Sequence, residues 1–234
     1  MYTHGYADGG YTLFLGFVLV FLTMVGWWLD VVREAVFEGQ HTKEVQRGLR
    51  QGMILFIVSE AMFFFSFFWA FFHSSVNPTF VIVSWPPAGI ETPSPWGLPF
   101  LNTLVLLTSG ISITWSHHAI LLGRFKQVWS GLYITLLLGA FFLSFQLVEY
   151  SGAAFSISDS VFGSVFFLIT GFHGLHVVIG FVFLFVCLIR LDSDHFTRDH
   201  HVGFECAVWY WHFVDVVWLF LFVSVYWWGG TPHD

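Results

Sequence analysis

The sequence predicts an all-α, polytopic transmembrane helix bundle with six spans, and three observations lead there. Only 10% of the 234 residues are charged while 56% are hydrophobic. A soluble domain carries about 25% charged residues, so this chain has too little polar surface to cover a core in water. Six segments supply the roughly 20 apolar residues that a helix needs to cross a bilayer. They lie at about 11–31, 52–72, 100–122, 128–149, 161–190 and 204–228. All eight Lys and Arg residues fall in alternate connectors, as the positive-inside rule requires of an even number of spans.

The first span runs into a polar connector at residues 32–51 that holds Arg33, Lys43, Arg47 and Arg50. The second is followed by residues 74–97, where Asn77-Pro78, Trp85-Pro86-Pro87, Pro93 and Pro95 rule out continued helix. The third and fourth spans are separated by a short turn containing Arg124 and Lys126. Residues 150–160 are Ser-rich and lead into the fifth, and residues 191–203 mix acids with His before the sixth. Arg190 and Arg198 lie at or in that last connector, while the N-terminus, the second and fourth connectors and the C-terminus hold no Lys or Arg. Both termini are thus expected on the outer side. Trp27-Trp28, Trp69, Trp115, Trp129 and Tyr226-Trp227-Trp228 sit at span ends, where amphipathic rings favour the headgroup zone.

Several functions fall away at once. A net charge of −7 without a basic patch gives no nucleic-acid surface. Cys187 and Cys206 form no CxxC and no disulfide framework, and read as small buried hydrophobes. The first ten residues lack Lys and Arg, so no removable leader pattern is present. No phosphate-binding loop, HExxH or nucleophile elbow occurs.

Ionisable residues inside the spans carry what chemistry there is. Glu60 is the one ionisable group of the second span, and a charge at that depth costs about 2.5–3.5 kcal/mol on insertion scales. It reads as a buried membrane carboxyl, either a proton relay or a neutral hydrogen-bonding tie between helices. His173 and His176 are spaced i,i+3 in TGFHGLH on one helix face, with Gly171 and Gly174 beside them to let another helix approach. Metal ligation and interhelical hydrogen bonding are both open to them. In the last span His212 and Asp215 are again i,i+3, with Glu205 seven residues before His212. That seam reads as a His–Asp hydrogen bond or as a proton path. Haem held between His173 and His212 is a further possibility. His117-His118 and His200-His201 lie near the basic side, where solvent or lipid headgroups would meet them.

Long stretches then identify a relationship. Residues 27–50 (WWLDVVREAVFEGQHTKEVQRGLR), 52–75 (ending FFWAFFHSS), 85–90 (WPPAGI), 109–121 (SGISITWSHHAIL), 170–180 (TGFHGLHVVIG) and 200–230 (HHVGFECAVWYWHFVDVVWLFLFVSVYWWGG) occur in order. Together with Leu101–Thr103 and ISDS at 157–160, they cover nearly the whole chain from residue 11. The sequence resembles the subunit III family of mitochondrial-type haem–copper cytochrome c oxidases.

The resemblance implies a single domain over residues 1–234 in a V-shaped, two-arm arrangement, with a first-arm helix at 11–33 and a five-helix bundle at 48–228. It implies a non-redox core subunit of respiratory complex IV that stabilises the catalytic subunit. Such a subunit supports proton uptake and lipid or oxygen access while oxygen is reduced to water with proton pumping. It implies no cofactor bound by this chain, haem a and copper in partner subunits, and bound phospholipids. Subunit I would be its main contact, with subunit II and small accessory subunits nearby, in the mitochondrial inner membrane with the basic loops on the matrix side. Glu60 corresponds to the family's buried carboxyl. Trp28, Arg33, Glu34, His41, Arg190 and His200 correspond to positions near lipid headgroups, and His173, His176, Glu205, His212 and Asp215 to a polar network within the bundle. Two departures stand out: residues 11–33 match the second of the family's usual seven spans, and Leu29 replaces the Arg usual after the Trp pair. The chief alternative is a free-standing proton-coupled transporter that would use Glu60 and the His212–Asp215 seam.

Overall fold

The structure is a computed structural model that describes residues 2–76 and 84–230. Asn77 and Pro78, expected to break the second helix, lie outside the described residues. Every long element is a helix: α1 Gly9–Val36, α2 Lys43–Val76, α3 Leu98–Leu121, α4 Phe125–Gly152, α5 Ser160–Asp192 and α6 Val202–Leu221. A 3₁₀ turn at Tyr2–His4 precedes α1, and a π-helical stretch, Phe222–Trp228, continues α6. All six helices are long and apolar enough to cross a membrane.

The helices overrun the expected spans on the basic side. Residues 32–51 read as a loop because they are charged, yet only residues 37–42 leave helical conformation. Lys, Arg, Glu and Gln are good helix formers, so charge ends the membrane span without ending the helix. The true break falls at Gly39, whose φ of +65° suits a residue without a Cβ.

The chain divides into two compact units, residues 1–49 and 50–234. In the first, α1 carries exposed apolar side chains along its length, including Phe14, Phe17, Phe21 and Trp28. Arg33 pairs with Glu38 at 3.0 Å, and Gln46 Nε2 donates to the His41 carbonyl at 2.9 Å.

The second unit is built around α6 and its π-helical continuation, whose apolar stretch is 56% buried, against 33–39% for α3, α4 and α5. Association in lipid depends on close packing and polar ties rather than on a hydrophobic drive, and both are visible. The α3–α4 hairpin turns through Gly123 at φ +70°. It is zipped by small polar residues: Ser116 Oγ donates to the Val128 carbonyl at 2.8 Å, and Ser112 and Thr135 hydroxyls bond at 2.7 Å. Trp211, fully buried, lies against Gly139 of α4 and Gly180 of α5 and donates from Nε1 to Ser109 Oγ at 2.9 Å. One turn pair further along, Trp218 Nε1 donates to Thr103 Oγ1 at 3.0 Å.

Two expectations are corrected by this packing. Tyr226 is not part of an interfacial belt; it is buried against Phe166 and Trp218. Close approach to α5 is made at Gly180; among the described residues, a Cβ added at Gly174 would meet nothing within 4 Å and one at Gly171 only the Tyr150 hydroxyl at 4.0 Å.

Candidate functional site

Halfway along α2, Glu60 projects toward α5. Its Oε2 lies 2.8 Å from His176 Nε2, and its side chain keeps 23% of its surface exposed. His176 Nδ1 lies 2.7 Å from the carbonyl oxygen of Phe172. A carbonyl only accepts, so Nδ1 carries an N–H and Nε2 is left to face the carboxyl. The contact therefore holds one proton between Glu60 and His176, whichever atom bears it. Phe63 and Phe64 pack on the imidazole, and Tyr210 stacks beyond it. The pair can tie two helices and can hold or pass a proton at a half-buried position.

The remaining polar residues of the spans do not form one seam. His173 Nε2 meets the Val214 carbonyl at 3.1 Å, with its ring packed on Phe142 and Trp218. His212 Nε2 lies 3.2 Å from Thr114 Oγ1 of α3, where the sequence suggested a bond to Asp215. Asp215 instead turns its Oδ2 toward Gly110, where an added Cβ would sit 2.8 Å away. The i,i+3 spacing puts the two residues on one face, but α3 comes close enough at Gly110 to take each separately. His173 and His212 consequently point to different partners, and the haem-sandwich geometry is not assembled.

Glu205 belongs to a third group, at the end of the bundle where the basic connectors lie. Its Oε2 accepts from Arg50 Nε at 2.6 Å, and its Oε1 lies 3.4 Å from His201 Nε2. His117 completes this group: ligand atoms of His117, His201 and Glu205 all lie within 4.8 Å of one another. His201 is not a solvated loop residue, since only 5% of its surface is exposed. Its neighbour His200 donates its backbone N–H to Thr197 Oγ1 at 3.1 Å, and His118 is exposed. Arg190 stacks on Phe196 at 4.4 Å and fits against Gly203. In the first unit, Trp28, Arg33 and Glu34 are exposed and His41 is half-buried.

Two features escape the sequence reading. Glu149 and Gln146 of α4 are buried together against the Tyr226 hydroxyl at the opposite end of the bundle. Glu149 stands at the edge of an apolar run, where a carboxyl looks interfacial. It is buried in the fold, with Tyr226 of the π-helical stretch beside it. The second is an apolar groove of about 1090 Å³ between α2 and the end of α6, lined by Phe64, Phe68, Trp69, Phe213, Val217 and Phe220 among others. Aromatic residues spaced along two helices gave no signal distinguishable from ordinary lipid-facing surface.

Residues 1–230 match the family model described as cytochrome c oxidase subunit III. Among curated relatives, the protein named cytochrome c oxidase subunit 3 of Pylaiella littoralis is 60% identical over 230 residues, covering 98% of this chain and 85% of that one. The protein of the same name from Arabidopsis thaliana is 60% identical over 231 residues, with 98% and 87% covered. That of Danio rerio is 58% identical over 217 residues, with 92% and 83% covered.

Proposed function

The chain belongs to the cytochrome c oxidase subunit III family and is a multi-pass membrane subunit of that oxidase complex, and we propose that it serves there as a core subunit with no redox centre of its own. In this reading haem a and copper reside in partner subunits. The chain stabilises subunit I, its main contact, near subunit II and the small accessory subunits, and supports proton uptake and lipid or oxygen access during oxygen reduction coupled to proton pumping. The observation that carries the reading is how the span histidines are used. His173 is engaged by Val214, His176 by Glu60 and Phe172, and His212 by Thr114. These are ties between or along helices, the work of a scaffold.

Lipid is the second part of the proposal. The groove beside Trp69 and Phe220 has the apolar lining that an acyl chain needs. Trp28, Arg33, Glu34, His41, Arg190 and His200 are proposed as headgroup contacts, each with an amphipathic or charged tip. The proposed location is the mitochondrial inner membrane, with the basic connectors in the matrix and both termini in the intermembrane space.

The decisive experiment compares the purified oxidase with and without this chain. Initial turnover should persist without it, while inactivation during sustained turnover accelerates severalfold and proton uptake slows. Loss of haem or copper in proportion to loss of the chain would overturn the assignment of the redox centres to other subunits. Unchanged inactivation kinetics would overturn the stabilising role.

A further inference from the structure

The cluster at the basic end of the bundle lies apart from the span-histidine ties described above, and its chemistry is specific. His117 stands near the end of α3, His201 caps the start of α6, and Glu205 follows one turn later. His201 Nδ1 lies 3.0 Å from the Thr197 carbonyl oxygen, so it donates there and is fixed in orientation. The other nitrogen, Nε2, is buried without a hydrogen-bond partner among the described residues and stands 3.4 Å from Glu205 Oε1. Two electron-rich atoms thus face each other across a short gap, with the half-buried His117 imidazole as a third. Something positive belongs between them.

We propose that His117, His201 and Glu205 form a binding site for a divalent transition-metal ion of the Zn²⁺ class, which pins α3 to the start of α6. Two imidazoles and one carboxylate, with water in the fourth position, make a familiar tetrahedral zinc set. Mg²⁺ and Ca²⁺ would want mostly oxygen ligands and are disfavoured here. The supporting contacts are those that ligands need: a carbonyl holds His201 from its far nitrogen, and Arg50 Nε holds Glu205 by its other oxygen at 2.6 Å. An ion centred among three atoms that all lie within 4.8 Å of one another would be at most about 2.8 Å from each. Reaching zinc distances of about 2.0–2.2 Å requires the side chains to close by less than an ångström. A proton on His201 Nε2 would also satisfy Glu205, as a simple i,i+4 ion pair, but that arrangement has no use for His117. The role of His117 therefore separates the two.

The test uses the full chain in nanodiscs, stripped of metal with a chelator, and titrated with Co²⁺ followed by Zn²⁺. This measures the chain alone, so its outcome does not depend on the role proposed within the oxidase. Co²⁺ should give the visible ligand-field bands of a tetrahedral nitrogen–oxygen site at about one equivalent. Zn²⁺ should displace it and raise the thermal midpoint. His117→Gln should weaken Co²⁺ binding by on the order of tenfold or more, whereas His118→Gln, at the exposed neighbour, should bind as the parent does. Glu205→Gln keeps an acceptor for Arg50 while weakening the ligand, and carries the test if His117→Gln proves unstable. Equal binding by the parent and both ligand variants, or no saturable Co²⁺ spectrum from the folded parent, would overturn the proposal.

Discussion

The contact between Glu60 and His176 sets the behaviour of the membrane interior at the residue scale. Because His176 Nδ1 must donate to Phe172, any substitute at position 60 has to supply a group that Nε2 can accept from or donate to. Glu60→Gln does so through its amide, and its thermal stability in detergent should stay within about 1 kcal/mol of the parent. Glu60→Leu leaves a polar ring nitrogen without a partner and should cost about 1–3 kcal/mol. A melt in which the two variants coincide would show that the contact adds nothing. The 23% exposure of Glu60 also leaves the carboxyl reachable from the apolar side. A hydrophobic carbodiimide should label it in preference to the loop acids, as peptide mapping would reveal. Its importance is legible in the sequence, since it is a lone acid in an apolar run; its partner is not, because 116 residues separate them.

Helix pairs in this protein depend on where a side chain is missing. Trp211 fits against α4 and α5 at Gly139 and Gly180, where an added Cβ would meet the indole at 2.8 and 3.1 Å. Gly139→Ala should therefore destabilise the chain by about 1–3 kcal/mol through overpacking. Gly174→Ala enters open space and should be neutral or gain up to about 1 kcal/mol from helix propensity. Equal unfolding midpoints for these two variants would contradict the packing described. The sequence draws attention to Gly171 and Gly174 because they flank the histidines, but spacing along one helix does not reveal which neighbour faces it. Helix existence was legible from hydropathy; helix length was not, because the polar residues 43–50 lie outside the apolar run yet form the first turns of α2. The His117–His201–Glu205 cluster was obscured for a related reason. Its members come from two ends of different helices, and each looks like an interfacial residue when read alone.

Considered as a whole, the second unit keeps its polar groups in separate places: Glu60–His176 on one side, Asp215 and His212 against α3, and Glu205 with Arg50 at the basic end. A continuous seam of the kind a transporter needs is not formed by these residues. The isolated chain in liposomes should consequently show no proton flux above that of empty vesicles under an imposed gradient; a flux abolished by Glu60→Gln would reverse this conclusion. The central position of α6 has a temporal consequence as well. Ribosomes deliver it after the four helices it must join, so α2 to α5 enter the bilayer with the niches at Gly139 and Gly180 vacant and Ser109 and Thr103 lacking their indoles. Insertion and completion are then separate events, and quality control has an interval in which to act. A chain stopped before Val202 should insert but be degraded several times faster than the full chain in a pulse–chase experiment, and co-expression of residues 202–230 as a separate peptide should slow that loss.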